Sequence, residues 1–208
     1  MKKSKKSKKS NTWKIKQHRD QFFKKSKILG YRSRAAFKLI ELNEKFNFIK
    51  ENFNLIDLGS SPGSWSQIAS KIIKKGKILS LDLNSMEEIN NVKFLKLNFL
   101  DEKTENVILE YFKDKVEVVL SDMAADTTGS KSLDCIRTNN LCSKTIEFSA
   151  KILKNDGVLV SKLFTGEDFE EVKNIAKKKF KKVDFFKPSS SRNESKETYI
   201  HCRGISAL

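Results

Sequence analysis

From Phe53 onward the chain alternates short apolar runs with amphipathic segments, and no other feature restricts its fold as much. The runs Phe53–Leu58, Ile78–Leu83, Val92–Leu97, Val116–Ser121 and Val158–Phe164 have the length and flanking turn residues of buried strands. Between them, Trp65–Lys74, Glu102–Lys113, Asp134–Leu153 and Asp168–Phe180 carry apolar residues at helical spacing. Parallel strands need a crossover, most often a helix, so the alternation predicts an α/β fold: a mostly parallel, doubly wound sheet covered on both faces. The last runs, Lys182–Phe186 and Glu197–Arg203, follow each other without a helix and predict an antiparallel pair at one edge. Ahead of the alternation, apolar positions between Lys16 and Lys45 recur at mainly helical spacing with a break at Gly30. That predicts two helices joined by a turn, the second with Ser33 as its candidate cap.

The 208 residues suffice for one sizeable core plus an appendage. The opening MKKSKKSKKS holds six lysines and no apolar residue after Met1, which predicts a disordered basic arm over 1–16 and a single domain over Gln17–Leu208. A formal net charge of +16 calls for a polyanionic partner, nucleic acid before an anionic membrane. No apolar run approaches the ~20 residues of a membrane span, and no apolar stretch of the kind a signal peptide requires follows the lysines, so the expected location is the cytoplasm. Cys135, Cys142 and Cys202 lack disulfide or zinc spacing and read as reduced structural thiols. With His18 and His201 the only histidines, no metal is expected and no histidine triad; lysine and carboxylate chemistry must carry any reaction.

Asn54–Trp65 reads as a buried strand running into a glycine turn and then a helix, the place where open α/β sheets bind ligands. Gly59 allows the sharp turn and Gly63 a close backbone approach, while Asp57 can anchor the loop or accept from a ligand's ammonium. The loop is neither a G-x-G-x-x-G fingerprint nor a P-loop, which weakens dinucleotide and triphosphate readings. Asp82 ends the second strand 25 residues after Asp57, near the offset at which an acidic side chain meets a nucleoside's ribose hydroxyls. Asn98, past the third strand, is either a turn residue or a reader of an adenine edge.

Four stretches carry a specific resemblance: Arg32-Ser33-Arg34-Ala35-Ala36-Phe37-Lys38-Leu39, Asp57 to Gln67, Leu120-Ser121-Asp122-Met123-Ala124 and Val160-Ser161-Lys162-Leu163-Phe164. Lys187-Pro188-Ser189-Ser190-Ser191-Arg192 and Glu197-Thr198-Tyr199-Ile200 complete the order. Together they resemble the FtsJ (RrmJ/RlmE) family of RNA ribose 2′-O-methyltransferases, from about Arg19 to the C-terminus. The resemblance implies a Rossmann-like methyltransferase fold, S-adenosyl-L-methionine as cofactor, and a catalytic Lys-Asp-Lys-Glu tetrad at Lys38, Asp122, Lys162 and Glu197. Methyl transfer from a sulfonium needs a hydroxyl oxygen held in line and relieved of its proton. Lys162 is therefore read as base or hydroxyl-orienting group, with the other three positioning and polarising it. The implied cofactor contacts are Gly63, Trp65, Asp82, Asn98 and Asp122, with Trp65 packing near the cofactor. The family's usual aspartate is Asn98 here, and its Asp-Met-Ala-Pro-Asn reads Asp122-Met123-Ala124-Ala125-Asp126, which predicts a loop backbone freed by the missing proline.

The resemblance further implies a uridine in the aminoacyl-tRNA-binding loop of 23S ribosomal RNA on the large ribosomal subunit. Arg32, Arg34, Lys187 and Arg192 are the candidates for phosphate contact. Rival readings are the same chemistry on transfer RNA, a non-catalytic ribosome-assembly factor on the same fold, and a nucleoside-binding oxidoreductase. The basic surface predicts a monomer.

Overall fold

The computed structural model describes residues 20–206. The predicted arm over 1–16 and His18 lie outside them. In chain order the elements are α1 (Gln21–Ile28), α2 (Ala35–Phe46), β1 (Leu55–Leu58), α3 (Ser64–Ile72), β2 (Ile78–Asp82), β3 (Val92–Lys96) and α4 (Glu102–Phe112). They continue with β4 (Val116–Ser121), α5 (Lys131–Ile152), β5 (Leu153–Phe164), α6 (Phe169–Lys179), β6 (Phe180–Phe186) and β7 (Glu197–Ile205). The seven strands form one sheet in the order β3-β2-β1-β4-β5-β7-β6. Pairing is parallel from β3 to β5 and antiparallel on both sides of β7. The fold is thus the Rossmann-like, mostly parallel, doubly wound sheet expected, with its antiparallel edge. The reversed strand itself sits one place in from that edge, between β5 and β6.

The side-chain period of two sends each strand's residues to two different cores. Ile56, Leu58, Leu79, Leu81, Val119, Leu159 and Leu163 pack with α4, α5 and α6. Leu55, Ile78, Val118, Leu120, Val158, Val160 and Tyr199 pack with α2 and α3. Strands buried on both faces read as continuous apolar runs, which is why they are visible in the sequence. β5 is longer than predicted because Leu153-Lys154-Asn155-Asp156-Gly157 looks like a turn. Its first residue nonetheless pairs with Val116, a register shift between Val116 and Val118 follows, and Lys154 is fixed by Glu117 at 2.7 Å.

Side chains fix the starts of the first two helices. Asp20 caps α1, accepting from the N–H groups of Phe22 and Phe23 at 3.0 and 3.1 Å. Ser33 caps α2 one residue before the helical dihedrals begin, accepting from Ala35 N–H at 3.2 Å, and its hydroxyl also meets that of Ser64 at 2.7 Å. Asn47 closes α2 in the left-handed conformation. Cys135, Cys142 and Cys202 are free thiols and buried. No helix among the described residues is long and apolar enough to cross a membrane.

Leu159 is fully buried at the centre of β5. Leu159→Ala should lower the unfolding free energy by roughly 2–5 kcal/mol, read from chemical denaturation; a loss near zero would mean that this face of the sheet can collapse around the void.

Candidate active site

The strands end where the sequence places its polar residues. At the carboxyl edge of β1, β2, β3 and β4 lies a cleft of about 580 Å³, lined among others by Gly59, Asp82, Asn98, Asp122, Met123 and Arg137. Asp82 is held ready: its carboxylate accepts from Ser61 N–H at 2.8 Å and Asn84 N–H at 2.7 Å. Asn98 is the turn residue its position allowed, and it lies on the cleft wall. Its side-chain oxygen accepts from Leu100 N–H at 3.1 Å. Gly59 has φ +69°, and a Cβ there would lie 2.1 Å from Met123 Cγ, so only glycine passes under the β4 loop.

Three expected cofactor contacts change meaning. Gly63 (φ +104°) is crowded by protein rather than exposed to a ligand, since a Cβ would fall within 2.7 Å of Arg32 Nη1 and Met86 Sδ. The Trp65 indole is 2% exposed, donates to Ala35 O at 2.9 Å and packs 5.6 Å from the Tyr199 ring. It belongs to the core, and any contact with a ligand would have to come from the backbone of α3's first turn, whose N–H groups have no intrahelical acceptor. Asp57 faces α3 rather than the cleft, accepting from Ser66 Oγ at 2.5 Å while Ser66 also meets Ser80 at 2.7 Å. It is the anchor of the loop, not an acceptor for a ligand's ammonium. Burial, with Asp122 and Asp82 nearby, pushes its carboxyl up to about 7 despite the Ser66 hydrogen bond.

Lys38, Asp122, Lys162 and Glu197 converge. Lys162 Nζ lies 2.7 Å from Asp122 Oδ1 and 3.6 Å from Glu197 Oε2, and donates to Asp122 O at 2.8 Å. Lys38 Nζ lies 2.7 Å from Glu197 Oε1 and 4.0 Å from Asp122 Oδ1. Parity explains the meeting. Lys162 shares the face of Val158 and Val160, which packs on α2, and on β7 Glu197 shares the face of Tyr199. Burial disfavours the charged carboxylates, but the two ammonium groups overcome it and hold Asp122 and Glu197 below the usual carboxylate range. Burial likewise opposes the Lys162 ammonium, yet Asp122 and Glu197 prevail and raise it above the ordinary lysine value. Lys162 is protonated at neutral pH in this state.

Two partners escaped the sequence reading. Tyr199 OH donates to Asp122 Oδ1 at 2.5 Å, and Ser191 Oγ donates to Glu197 Oε1 at 2.8 Å. Tyr199 was legible in principle, standing two residues after Glu197 on the same strand face; Ser191 was not, because only the folded loop brings it near. That loop is docked on α2 by Glu41, which accepts from Ser189 N–H at 2.6 Å and Ser190 N–H at 3.0 Å.

The four candidate phosphate residues divide. Arg32 is a clamp, donating to Pro62 O, Glu87 O and Glu88 O at 2.7–2.9 Å, and Lys187 donates to Ser195 O at 2.7 Å. Both hold loops. Arg34 and Arg192 instead line a second cavity of about 360 Å³ with Lys38, Glu194, Ser195 and Glu197. The β4 loop is not freed by Ala125, whose N–H, absent in a proline, donates to Thr138 Oγ1 at 3.2 Å. Among the described residues no group of His, Cys, Asp and Glu side chains is arranged to hold a metal ion.

Asp57 sets a pH dependence. Its folded value near 7 lies above its ordinary 3.8, so the stability present below about pH 4 is lost as pH rises towards 7. Asp57→Asn should therefore gain Tm relative to the unsubstituted protein between pH 4 and 7, then hold a constant difference; a difference independent of pH would mean the carboxyl titrates normally.

Known proteins agree with this architecture. The model of the FtsJ-like methyltransferase family matches residues 31–205. A protein of Pelagibacter ubique (strain HTCC1062), named ribosomal RNA large subunit methyltransferase E, is 47% identical over 199 residues, 96% of this chain and 98% of its own. One of the same name from Rickettsia akari (strain Hartford) is 45% identical over 92% of this chain and 87% of its own. A ribosomal RNA methyltransferase structure from Plasmodium falciparum superposes with a TM-score of 0.76 at 29% identity, covering 86% of this chain and 100% of its own. Human methyltransferase-like protein 13, solved in complex with SAH, shares the fold alone, with a TM-score of 0.57 at 13% identity over 80% of this chain and 78% of its own. With a family match running from Tyr31 to Ile205 and relatives above 40% identity along almost the whole chain, the protein belongs to the FtsJ-like methyltransferase family.

Proposed function

We propose that the chain transfers a methyl group from S-adenosyl-L-methionine to the ribose 2′-hydroxyl of a uridine in 23S ribosomal RNA, presented on the large ribosomal subunit. The observation that carries this reading is the position of the tetrad between two cavities. Asp122 belongs to the wall of the larger cleft, Lys38 and Glu197 to that of the smaller, and Lys162 spans the two carboxylates. The relatives named for the large-subunit RNA support the choice of polymer.

The larger cleft fits the cofactor. Its 580 Å³ lies within the roughly 300–1,000 Å³ of small-molecule sites, and Asp82, fixed by two backbone donors, and Asn98 face it. Asp82 would hold the ribose hydroxyls, Asn98 the adenine edge, and Gly59 the close approach of the loop. When bound, S-adenosyl-L-methionine supplies an electrophilic methyl group on a sulfonium cation.

The chain's own residues then have defined tasks. Lys38 faces the space beside Glu197, where its ammonium can orient a hydroxyl oxygen, and Lys162 stands behind it between the two carboxylates. Tyr199 and Ser191 fix the carboxylates that fix the lysines. Lys162 can take the hydroxyl proton only after passing its own to solvent water, which requires a cation close enough to Asp122 to weaken that carboxylate's hold on it. Until then Lys162 orients and polarises. Arg34 and Arg192 would hold RNA near this point, and the basic arm expected over 1–16 would add affinity that is independent of sequence.

The test is transfer of radiolabelled methyl to large subunits, stripped ribosomal RNA and transfer RNA, comparing the unsubstituted protein with Lys162→Ala. Label should reach subunits, map to a ribose 2′-oxygen and fall at least about 100-fold in the variant. Leaving Asp122 without its buried partner should also cost about 3–5 kcal/mol, so Tm and cofactor binding are measured alongside. Label on transfer RNA alone would overturn the polymer, and binding of cofactor without transfer to any RNA would overturn the reaction.

A further inference from the structure

The smaller cavity contains an arrangement that the tetrad does not use. Arg34 stands at the start of α2, one turn before Lys38, and so points along the same helix face. One of its guanidinium nitrogens donates to Ser190 O, which ties it to the loop over the tetrad. Another meets Asp20 Oδ2, and Arg192 Nε approaches the same oxygen at 3.8 Å. Two arginines from distant parts of the chain therefore share one carboxylate oxygen, and burial, joined by the charge of Arg192, depresses the basicity of Arg34.

Asp20 does not need that charge to cap its helix. The cap uses Oδ1, which accepts from Phe22 and Phe23, and asparagine or serine caps as well as aspartate. The charge matters to the cavity instead. Arg34, Lys38, Lys162 and Arg192 face Asp122, Glu194, Glu197 and Asp20, so the cluster is balanced only while Asp20 is in place. Withdrawing Asp20 uncovers a single positive charge between two guanidinium groups, which suits a group with one negative charge and several acceptor oxygens. A phosphodiester is such a group. Arg34 lies about 6 Å along the helix axis from Lys38, a step comparable to that from a ribose to a flanking phosphate.

We propose that Arg34 and Arg192 seat a backbone phosphate of the substrate RNA next to the target ribose, and that Asp20 is an internal stand-in which that phosphate displaces. The proposal rests on the RNA reading above, in which Arg34 and Arg192 are already candidates for phosphate contact, and adds Asp20 as the competitor at that seat. Displacement has a thermodynamic signature. In the unsubstituted protein a phosphate replaces a carboxylate, so no counterion is released from the arginine pair. With Asp20 neutralised, the pair holds solution anions, and RNA releases them.

The experiment follows binding of a fluorescein-labelled oligouridylate by anisotropy across a salt series, for the unsubstituted protein, Asp20→Asn, Arg34→Ala and the double variant. Asp20→Ser, which also caps, is the second neutral variant, and circular dichroism with Tm establishes that each is folded. Both neutral variants should bind on the order of five-fold more tightly at low salt. Their slope of log affinity against log salt should steepen by up to about one. Arg34→Ala should weaken binding and abolish the gain in the double variant. Unchanged or weaker binding by folded Asp20→Asn and Asp20→Ser, with an unchanged slope, would overturn the proposal while leaving RNA as the substrate. Failure of the unsubstituted protein to bind any RNA would instead remove the reading on which the proposal rests.

Discussion

The antiparallel pairing of β7 with β5 is the constraint on which the site depends. Every parallel strand delivers its last residues to the carboxyl edge of the sheet, where Asp122 follows β4 and Lys162 sits near the end of β5. A further parallel strand would deliver its first residue to the opposite edge, some 20 Å away. Because β7 runs the other way, Glu197 at its start is paired opposite Phe164 at the end of β5, on the edge that carries the other charges. The register then places Tyr199 opposite Lys162, and the pleat turns both towards α2. A slip of one residue would turn Glu197 and Tyr199 into the core on the other face.

The charges assembled there restrain one another. Each ammonium lies within 4.0 Å of both carboxylates, so no member is buried alone. The same mutual support holds the Lys162 ammonium above the ordinary lysine value despite its burial. Asp57 shows the contrasting case. It has the hydroxyl of Ser66 but, among the described residues, no cation that offsets its burial, and its carboxyl is correspondingly pushed towards the neutral form.

The strands and most helices were readable because a doubly covered sheet writes uninterrupted apolar runs into the sequence, and because amphipathic helices keep their period. Val116–Ser121 matched its predicted bounds for that reason. The start of β5 was not readable, since Lys154, Asn155 and Asp156 gain their strand pairing from a shifted register and from Glu117, a partner far away in sequence. Among the site residues, Asp82 at the end of β2 and Asn98 beyond β3 both line the cleft. Trp65 and Arg32 do not serve as expected, because residue type alone cannot tell a side chain that faces a cleft from one drawn into the core or onto carbonyl groups. Lys187 was drawn onto a loop in the same way.

The sequence by itself determined the layers of the fold, the position of the glycine loop and the identities of the four charged residues, since these depend on local periodicity and on short motifs. Only the tertiary structure decided what those residues do to one another. Ionisation, hydrogen-bond partners and access depend on distances between segments far apart in the chain, such as Lys38 and Glu197, 159 residues from each other. The three-way contact of Asp20, Arg34 and Arg192 is of the same kind. Local patterns cannot encode such contacts, because they form only when strand order and helix packing bring distant charges into one low-dielectric space.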